Sequence, residues 1–299
     1  MSTYLVTGGA GFIGSHLADK IIENGSNVII LDNFSDGKKA NVNPKCELVE
    51  GSFLDRNLLK DIFKKVDFCY HLAATASVQK SISSWPEAHA NNLTGTINIF
   101  SEAAERDIPV IYASSAAIYG TPTTTPISED DAKEATSPYG LDKYCCEKQA
   151  MLFGKLKNLR SIGLRFFNVY GKRQDPSSPY SGVISIFLDK IQNGETITIY
   201  GDGQQERDFI FIDDVVKALL ASQNFVSIES DIYNVCTGTS TTINDLLATI
   251  AGILNKKPSI EYLPTREGDI YRSIGNPSKL KKLNISDFVD IREGLRKII

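Results

Sequence analysis

Tyr139 and Lys143 stand four residues apart behind Ser137-Pro138, and Ser114 and Ser115 close an apolar run, with 139 − 115 = 24 residues between Ser115 and Tyr139. Ser-Pro is a helix opening, an N-cap followed by a first-turn proline, so the four-residue spacing puts Tyr139 and Lys143 on one helical face. A phenol, an ammonium and a hydroxyl brought together can move a proton on or off a substrate hydroxyl. A free phenol titrates near pH ~10, and making it a base at neutral pH takes about 4 kcal/mol of help for its ionised form. A neighbouring cation is one source of that help. The pattern Tyr-x-x-x-Lys also occurs on ordinary helix surfaces, so its meaning depends on what surrounds it. The second cluster is Gly8, Gly11 and Gly14 between an apolar run and a helical stretch, with Asp32 ending the next apolar run, NVIILD. Glycines there allow a tight turn and close backbone approach, and the helix start offers amide donors to a pyrophosphate. Asp32, at 32 − 14 = 18 residues past Gly14, is placed to accept from adenosine ribose hydroxyls and to repel a 2′-phosphate, which favours NAD over NADP.

Positioning these groups requires a parallel sheet. Short runs rich in β-branched residues alternate with helical stretches: YLVTG, Phe12 to Asn24, NVIILD, DFCYHLA, PVIYASS and SIGLRFFNV. This pattern predicts an α/β fold, a Rossmann-type doubly wound parallel sheet whose strand ends carry the site. Beyond about Tyr170 the Pro/Ser/Gly-rich QDPSSPYSG starts a different texture. We expect residues 1–170 to form the dinucleotide-binding unit and 171–299 a smaller α/β substrate lobe, discontinuous because the strand-like 231–236 returns to the first sheet.

Composition narrows the partners. The 299 residues are 42% hydrophobic and 23% charged with a formal net charge of −4, which gives no basic field for nucleic acid. Five cysteines at irregular spacing fit neither a disulfide framework nor a zinc pattern, and His16 and His89 have no metal-ligand spacing. Met1 to Thr3 lead directly into Tyr4-Leu5-Val6, so no signal peptide is expected, and no apolar run approaches the ~20 residues of a membrane span. A cytoplasmic enzyme with a small-molecule substrate and no metal is the expectation.

The set TGGAGFIGS, HLAA (71–74), Asn92-Leu-Thr-Gly-Thr96, SSAAIYG, Tyr-x-x-x-Lys, RFFNVYG (165–171), Gly201-Asp202-Gly203 with Arg207-Asp208-Phe209, and 266–269 (REGD) resembles the extended short-chain dehydrogenase/reductase family. Within it the chain is most similar to nucleotide-sugar 4-epimerases, over nearly its whole length. The resemblance implies that Tyr139 takes the proton of the sugar 4-hydroxyl, that Lys143 binds the nicotinamide ribose and holds Tyr139 ionised, and that Ser115 bonds the sugar oxygen. It implies that hydride leaves C4 for a tightly held NAD and returns to the opposite face after the 4-keto sugar turns. It places Gly8, Gly11, Phe12, Ile13, Gly14, Asp32, Asn33, Phe53, Leu72, Ala73, Ala74, Asn92, Ser114, Tyr139, Lys143 and Phe166 at the cofactor. It places Thr75, Ser115, Asn168, Val183, Thr198, Tyr200, Arg207, Arg266, Asp269 and Ser273 at the UDP-sugar. The two arginines suit a diphosphate, and the alternative for each is a surface ion pair. Asp269 either binds a ribose hydroxyl or orients Arg266. A homodimer through the helix after Asn92 and the one carrying Tyr139 is implied in the same way.

The chain departs from the family at Gly51-Ser52-Phe53, where many members carry an acid toward adenine, and at Ala76, where some carry a lysine. Asp55 is read as part of the next turn. Dehydratases and decarboxylases usually place acids after the strand hydroxyl, whereas this chain has Ala116 and Ala117, whose methyls shuttle no proton. Those sister activities and a non-catalytic NAD-sensing protein are the alternatives. Ser273, where epimerases restricted to UDP-glucose carry a bulky aromatic, leaves room for a 2-acetamido group. His71 is expected to be structural or cofactor-adjacent, and Cys145 and Cys146 to be packing residues.

Overall fold

The computed structural model describes residues 1–176, 182–265 and 269–299. The first half alternates as the sequence pattern requires: β1 (Thr3–Thr7), α1 (Phe12–Glu23), β2 (Asn27–Asp32), β3 (Glu47–Glu50), α2 (Arg56–Phe63) and β4 (Phe68–His71). Then come α3 (Val78–Ser83), α4 (Trp85–His89), a π turn at Ala90–Thr94, α5 (Gly95–Ala104), β5 (Val110–Ser115), α6 (Pro138–Lys157) and β6 (Ser161–Phe166). The second half holds β7 (Asn168–Tyr170), α7 (Val183–Asn193), β8 (Ile197–Tyr200), β9 (Glu206–Arg207), β10 (Phe209–Phe211), α8 (Ile212–Ser222) and β11 (Asp231–Val235). It ends with β12 (Thr241–Thr242), α9 (Ile243–Leu254), β13 (Ile260–Leu263), β14 (Arg272–Ser273) and α10 (Ile291–Ile298).

Seven strands form one parallel sheet in the order β11-β6-β5-β4-β1-β2-β3. Strand order reverses between β1 and β4, and the carboxyl ends there open a crevice. Both faces are covered, so the strands are continuously apolar, and successive residues of β1 serve different cores. Val6 joins Leu17, Ile30, Leu164 and Leu219 on the face covered by α1 and α8. Leu5 joins Ile29, Leu59, Phe100 and Ala150 on the face covered by α2, α5 and α6. Strand β11, expected to return to this sheet, pairs with β6 in the register Asn234↔Arg165.

The rest of the second half builds only small sheets: β10-β7, β12-β9-β14 and β13-β8. Helix α6 begins as its sequence signalled, with Ser137 Oγ accepting from the Gly140 amide at 3.1 Å and Pro138 in the first turn. That opening sets Tyr139 and Lys143 at the sheet's carboxyl edge.

Candidate active site at the carboxyl edge of the sheet

At the β1–α1 turn Gly8 has φ +70, and a Cβ on it would lie 2.9 Å from the Ala73 backbone. A Cβ on Gly14 would run into the Gly8 carbonyl, so both positions exclude side chains sterically. No side chain caps α1. The amides of Phe12 and Ile13 therefore face outward as anion donors at the positive end of the helix. Asp32 ends β2, mostly buried, and its two oxygens accept from the Ala10 and Phe34 amides at 2.9 and 2.8 Å. A carboxylate has about four acceptor positions, so half remain for a pair of hydroxyls. Turn, amides and carboxylate fit a dinucleotide. Asp55, by contrast, caps α2 through the Asn57 and Leu58 amides, as the sequence reading had it.

Several residues expected at the cofactor have their side chains engaged elsewhere. Asn92, buried in the π turn, accepts the Thr75 amide at 2.8 Å and donates to the Thr75 carbonyl at 3.2 Å. It therefore holds Thr75 in place and keeps one N–H and one acceptor position. Asn91 Nδ2 reaches Thr75 Oγ1 at 3.2 Å, leaving the Thr75 hydroxyl proton free to donate. Phe53 packs edge-on against His71 at 5.4 Å and can offer a ligand little beyond backbone. Asn33 Oδ1 accepts from Ser35 within its own turn. The Leu72 and Ala73 amides both donate to Thr7 Oγ1 at 3.2 Å. Ser114 Oγ donates to Glu147 at 2.6 Å, so only its main chain is available. Phe166 ends β6 opposite Ser115, on the same edge of the sheet as Ala74 after β4.

His71 bridges Thr7 Oγ1 and Thr96 Oγ1 at 2.8 and 3.0 Å. Thr96 gives its own proton to the Asn92 carbonyl, so it accepts from His71 Nε2, and Nδ1 accepts from Thr7. Burial, with the Lys143 charge adding to it, pushes the imidazole down to about 3, so it stays neutral. The structural reading of His71 holds.

Tyr139, Lys143 and Ser115 meet at the end of β5. The Ser115 hydroxyl stands near the Tyr139 phenol, close enough to favour its ionised form. Burial pushes that phenol upward, the Ser115 hydroxyl pulls it down, and the thiol of Cys146 adds a small upward push. Lys143, almost completely buried, donates to the Ala113 carbonyl at 2.8 Å, and its ammonium is 6.0 Å from the Tyr139 ring centre. Lys143 thus keeps two N–H donors for a ligand. Burial lowers the Lys143 pKa, as it does for any ammonium short of partners. Ala116 and Ala117 start a 3₁₀ turn in which Ser115 Oγ accepts from the Ala117 amide at 3.1 Å. No carboxylate stands at those two positions.

A cavity of ≈ 420 Å³ in the second half is lined by Asn168, Val183, Thr198, Tyr200, Arg207 and Asp269, six of the expected substrate residues. Asn168 Nδ2 donates to the Asp208 carbonyl at 3.0 Å, which leaves its oxygen for a ligand. Thr198 Oγ1 donates to Glu261 at 2.6 Å across the β8–β13 pair. Arg207 Nη2 donates to Asp269 Oδ1 at 2.9 Å. The partner of Asp269 is therefore Arg207; Arg266, expected to take that part, lies outside the described residues. Ser273 does not line this cavity, but stands beside Arg207 in the β14–β9 pairing. Asp208, fully buried, accepts from Thr237, Gly238 and Gly275 and ties these loops together.

Sequence reading overlooked Glu147 and gave Arg165 no part. They form a buried fork, Nε–Oε1 and Nη2–Oε2 both 2.8 Å, beneath Ser114. The available signal was a carboxylate at i+4 from Lys143 on the same helical face. Among the described residues no group of three or more His, Cys, Asp or Glu is placed to hold a metal, and no helix is long and apolar enough to cross a membrane.

Comparison with known proteins agrees with this geometry. Residues 4–236 match the model of the NAD dependent epimerase/dehydratase family. A putative UDP-glucose 4-epimerase of Methanocaldococcus jannaschii is 40% identical, with 99% of this chain and 96% of that protein covered. A UDP-N-acetyl-alpha-D-glucosaminuronate decarboxylase of Bacillus cytotoxicus is 33% identical over 87% of this chain and 83% of its own. Two solved structures superpose with TM-score 0.93 at 36% identity, each covering 99% of this chain and 96% of the other. One is a UDP-glucose 4-epimerase of Thermotoga maritima with UDP-glucose; the other is a UDP-N-acetylglucosamine 4-epimerase of Methanobrevibacter ruminantium with UDP-N-acetylmuramic acid.

Proposed function

The chain belongs to the NAD-dependent epimerase/dehydratase family, and from that premise we propose that it is a UDP-hexose 4-epimerase. It interconverts UDP-glucose with UDP-galactose and UDP-N-acetylglucosamine with UDP-N-acetylgalactosamine. The observation that carries this reading is the Ser115–Tyr139–Lys143 cluster with methyl groups at Ala116 and Ala117. A site that removes and returns one proton needs a single base, whereas loss of water needs a further acid and base.

NAD, held by the Gly8–Gly14 turn, the α1 amides and Asp32, supplies a reversible hydride acceptor beside the sugar. Tyr139 accepts the 4-hydroxyl proton as the carbonyl forms and gives it back to the inverted alkoxide. Ser115 bonds the same oxygen, holding it over Tyr139. Lys143 turns its two remaining donors to the nicotinamide ribose, and its charge favours the phenolate. Asn168, Arg207 and Asp269 hold the nucleotide end in the ≈ 420 Å³ cavity. Firm grip on the diphosphate with few fixed contacts to the hexose lets the 4-keto sugar turn without leaving. Ser273 beside Arg207 spares room for an acetamido group.

The relative named as a decarboxylase keeps a second reading open, loss of carbon dioxide from a UDP-uronic acid, which the two alanines disfavour. Incubating the purified protein with UDP-glucose or UDP-N-acetylglucosamine and no added cofactor tests the proposal. A 4-epimer supports it, and release of water or carbon dioxide sends the chain to a sister activity. A homodimer in the cytoplasm is part of the reading. Leu141, Leu152 and Leu156 stand 49%, 49% and 70% exposed along one stripe of α6, a surface for a second copy. Monomeric sedimentation at micromolar concentration would remove the dimer.

A further inference from the structure

Helix α6 meets the last three residues of β5 one turn at a time. Tyr139 stands near the Ser115 hydroxyl, Lys143 donates to the Ala113 carbonyl at 2.8 Å, and Glu147 accepts from the Ser114 hydroxyl at 2.6 Å. These three side chains are four residues apart and share one helical face. Glu147 is 2% exposed and Arg165 3%, so the charges are almost completely removed from water. Glu147 spends both oxygens on Arg165, which stands opposite Ser114 in the β5–β6 register. The remaining Arg165 nitrogen donates to Tyr119 Oη at 2.6 Å and to the Glu129 carbonyl at 3.0 Å. Tyr119 passes its proton to Asn234 Oδ1 at 2.7 Å on β11. The guanidinium and carboxylate are therefore locked from α6, β5, β6 and β11 together.

A buried ion pair is weak evidence for stability, since apolar residues of the same volume often serve as well. What this pair gives that apolar packing cannot is direction. A carboxylate fixed by a fork accepts the Ser114 proton along one line and thereby sets the end of β5, including Ser115 one residue on, against the helix turn that carries Tyr139. We propose that Glu147, oriented by Arg165, is a positioning residue for the reaction, fixing through Ser114 the registration of Ser115 on Tyr139. The inference rests on Tyr139 being the base, as read above.

Ser114→Ala deletes one bond of the clamp and leaves Glu147 and Arg165 paired, so it tests positioning without unpairing a buried charge. The expected result is a kcat lowered about tenfold or more, because small misplacements of reacting groups are costly, with KM for the UDP-sugar and bound NAD per subunit unchanged. Ser114→Thr, which keeps the hydroxyl, restores most of the kcat. Unchanged kcat in Ser114→Ala overturns the proposal, as does a parallel loss of kcat, KM and NAD content, which marks a general loosening. If Ser114→Ala does not fold, Arg165→Lys keeps the charge and loses the fork, and the same split between kcat and KM decides. Tyr139→Phe measured alongside separates the two levels: an active Tyr139→Phe sinks the assignment of the base, whereas an inactive one with a fully active Ser114→Ala sinks only the clamp.

Discussion

The two ends of the site are built differently. At the carboxyl edge of the seven-stranded sheet, Tyr139, Lys143 and Ser115 sit on a long helix and a central strand, with Lys143 bonded to the Ala113 carbonyl of that strand. At the other end the cavity is walled by sheets of two or three strands, and its main cation, Arg207, is matched to Asp269 with 18% and 27% of the side chains exposed. The first region has its geometry set by the core, which suits a step that tolerates little displacement. In the second, the Arg207–Asp269 contact must be shared or exchanged when a diphosphate binds. On the proposed function the first region sets rate and the second affinity, and substitutions should divide along that line.

The largest effect expected is on the catalytic edge. Tyr139→Phe should lower kcat by about a thousandfold, within the usual range for losing a general base, while KM changes little. Steady-state kinetics with UDP-glucose check this, and near-normal turnover would remove Tyr139 as base. Beside the cavity, next to Arg207, Ser273→Tyr should abolish turnover of UDP-N-acetylglucosamine and spare that of UDP-glucose, as read by product analysis on both sugars. Equal loss of both would show that Ser273 does not discriminate. Arg207→Ala should raise KM for either sugar about 10- to 100-fold, the loss of one or two charge-assisted bonds, with kcat at saturation nearly kept. A kcat loss as large as that of Tyr139→Phe would merge the two regions into one.

The smallest expected effect is a shift in pH dependence. Tyr139 must be ionised to accept a proton, so activity rises with pH through its pKa. Burial holds that pKa up and the Ser115 hydroxyl holds it down. Its other charged or titratable neighbours are Lys143 and Cys146 on the same helix. Ser115→Ala removes the hydroxyl that favours the phenolate, so the acidic limb of the kcat profile should move to higher pH. A limb that stays in place would mean that Ser115 contacts only the sugar.

Much of this was legible locally. The glycine turn, Asp32 at the end of β2 and the Ser137-Pro138 opening of α6 depend on neighbours in the chain, and each stands where its spacing implied. What local pattern leaves open is which way a side chain near the site turns. Asn92, Ser114 and Phe53 lie where expected, but their side chains bond or pack against Thr75, Glu147 and His71. Local pattern places a residue on an element; which way its side chain is satisfied depends on segments 17 to 33 positions away.

The sequence by itself determined the parallel α/β sheet, the dinucleotide turn and the identity of the Ser-Tyr-Lys cluster, because these follow from periodicity, capping and conformational freedom within short stretches. Only the tertiary structure decided that Ser115 stands near the phenol, that Asp269 pairs with Arg207, and that Glu147 and Arg165 lie beneath the reacting groups. Those pairings join residues 18 to 62 positions apart. Burial makes an unpaired polar group costly, so the partners were selected by the packing of the whole sheet rather than by any local signal.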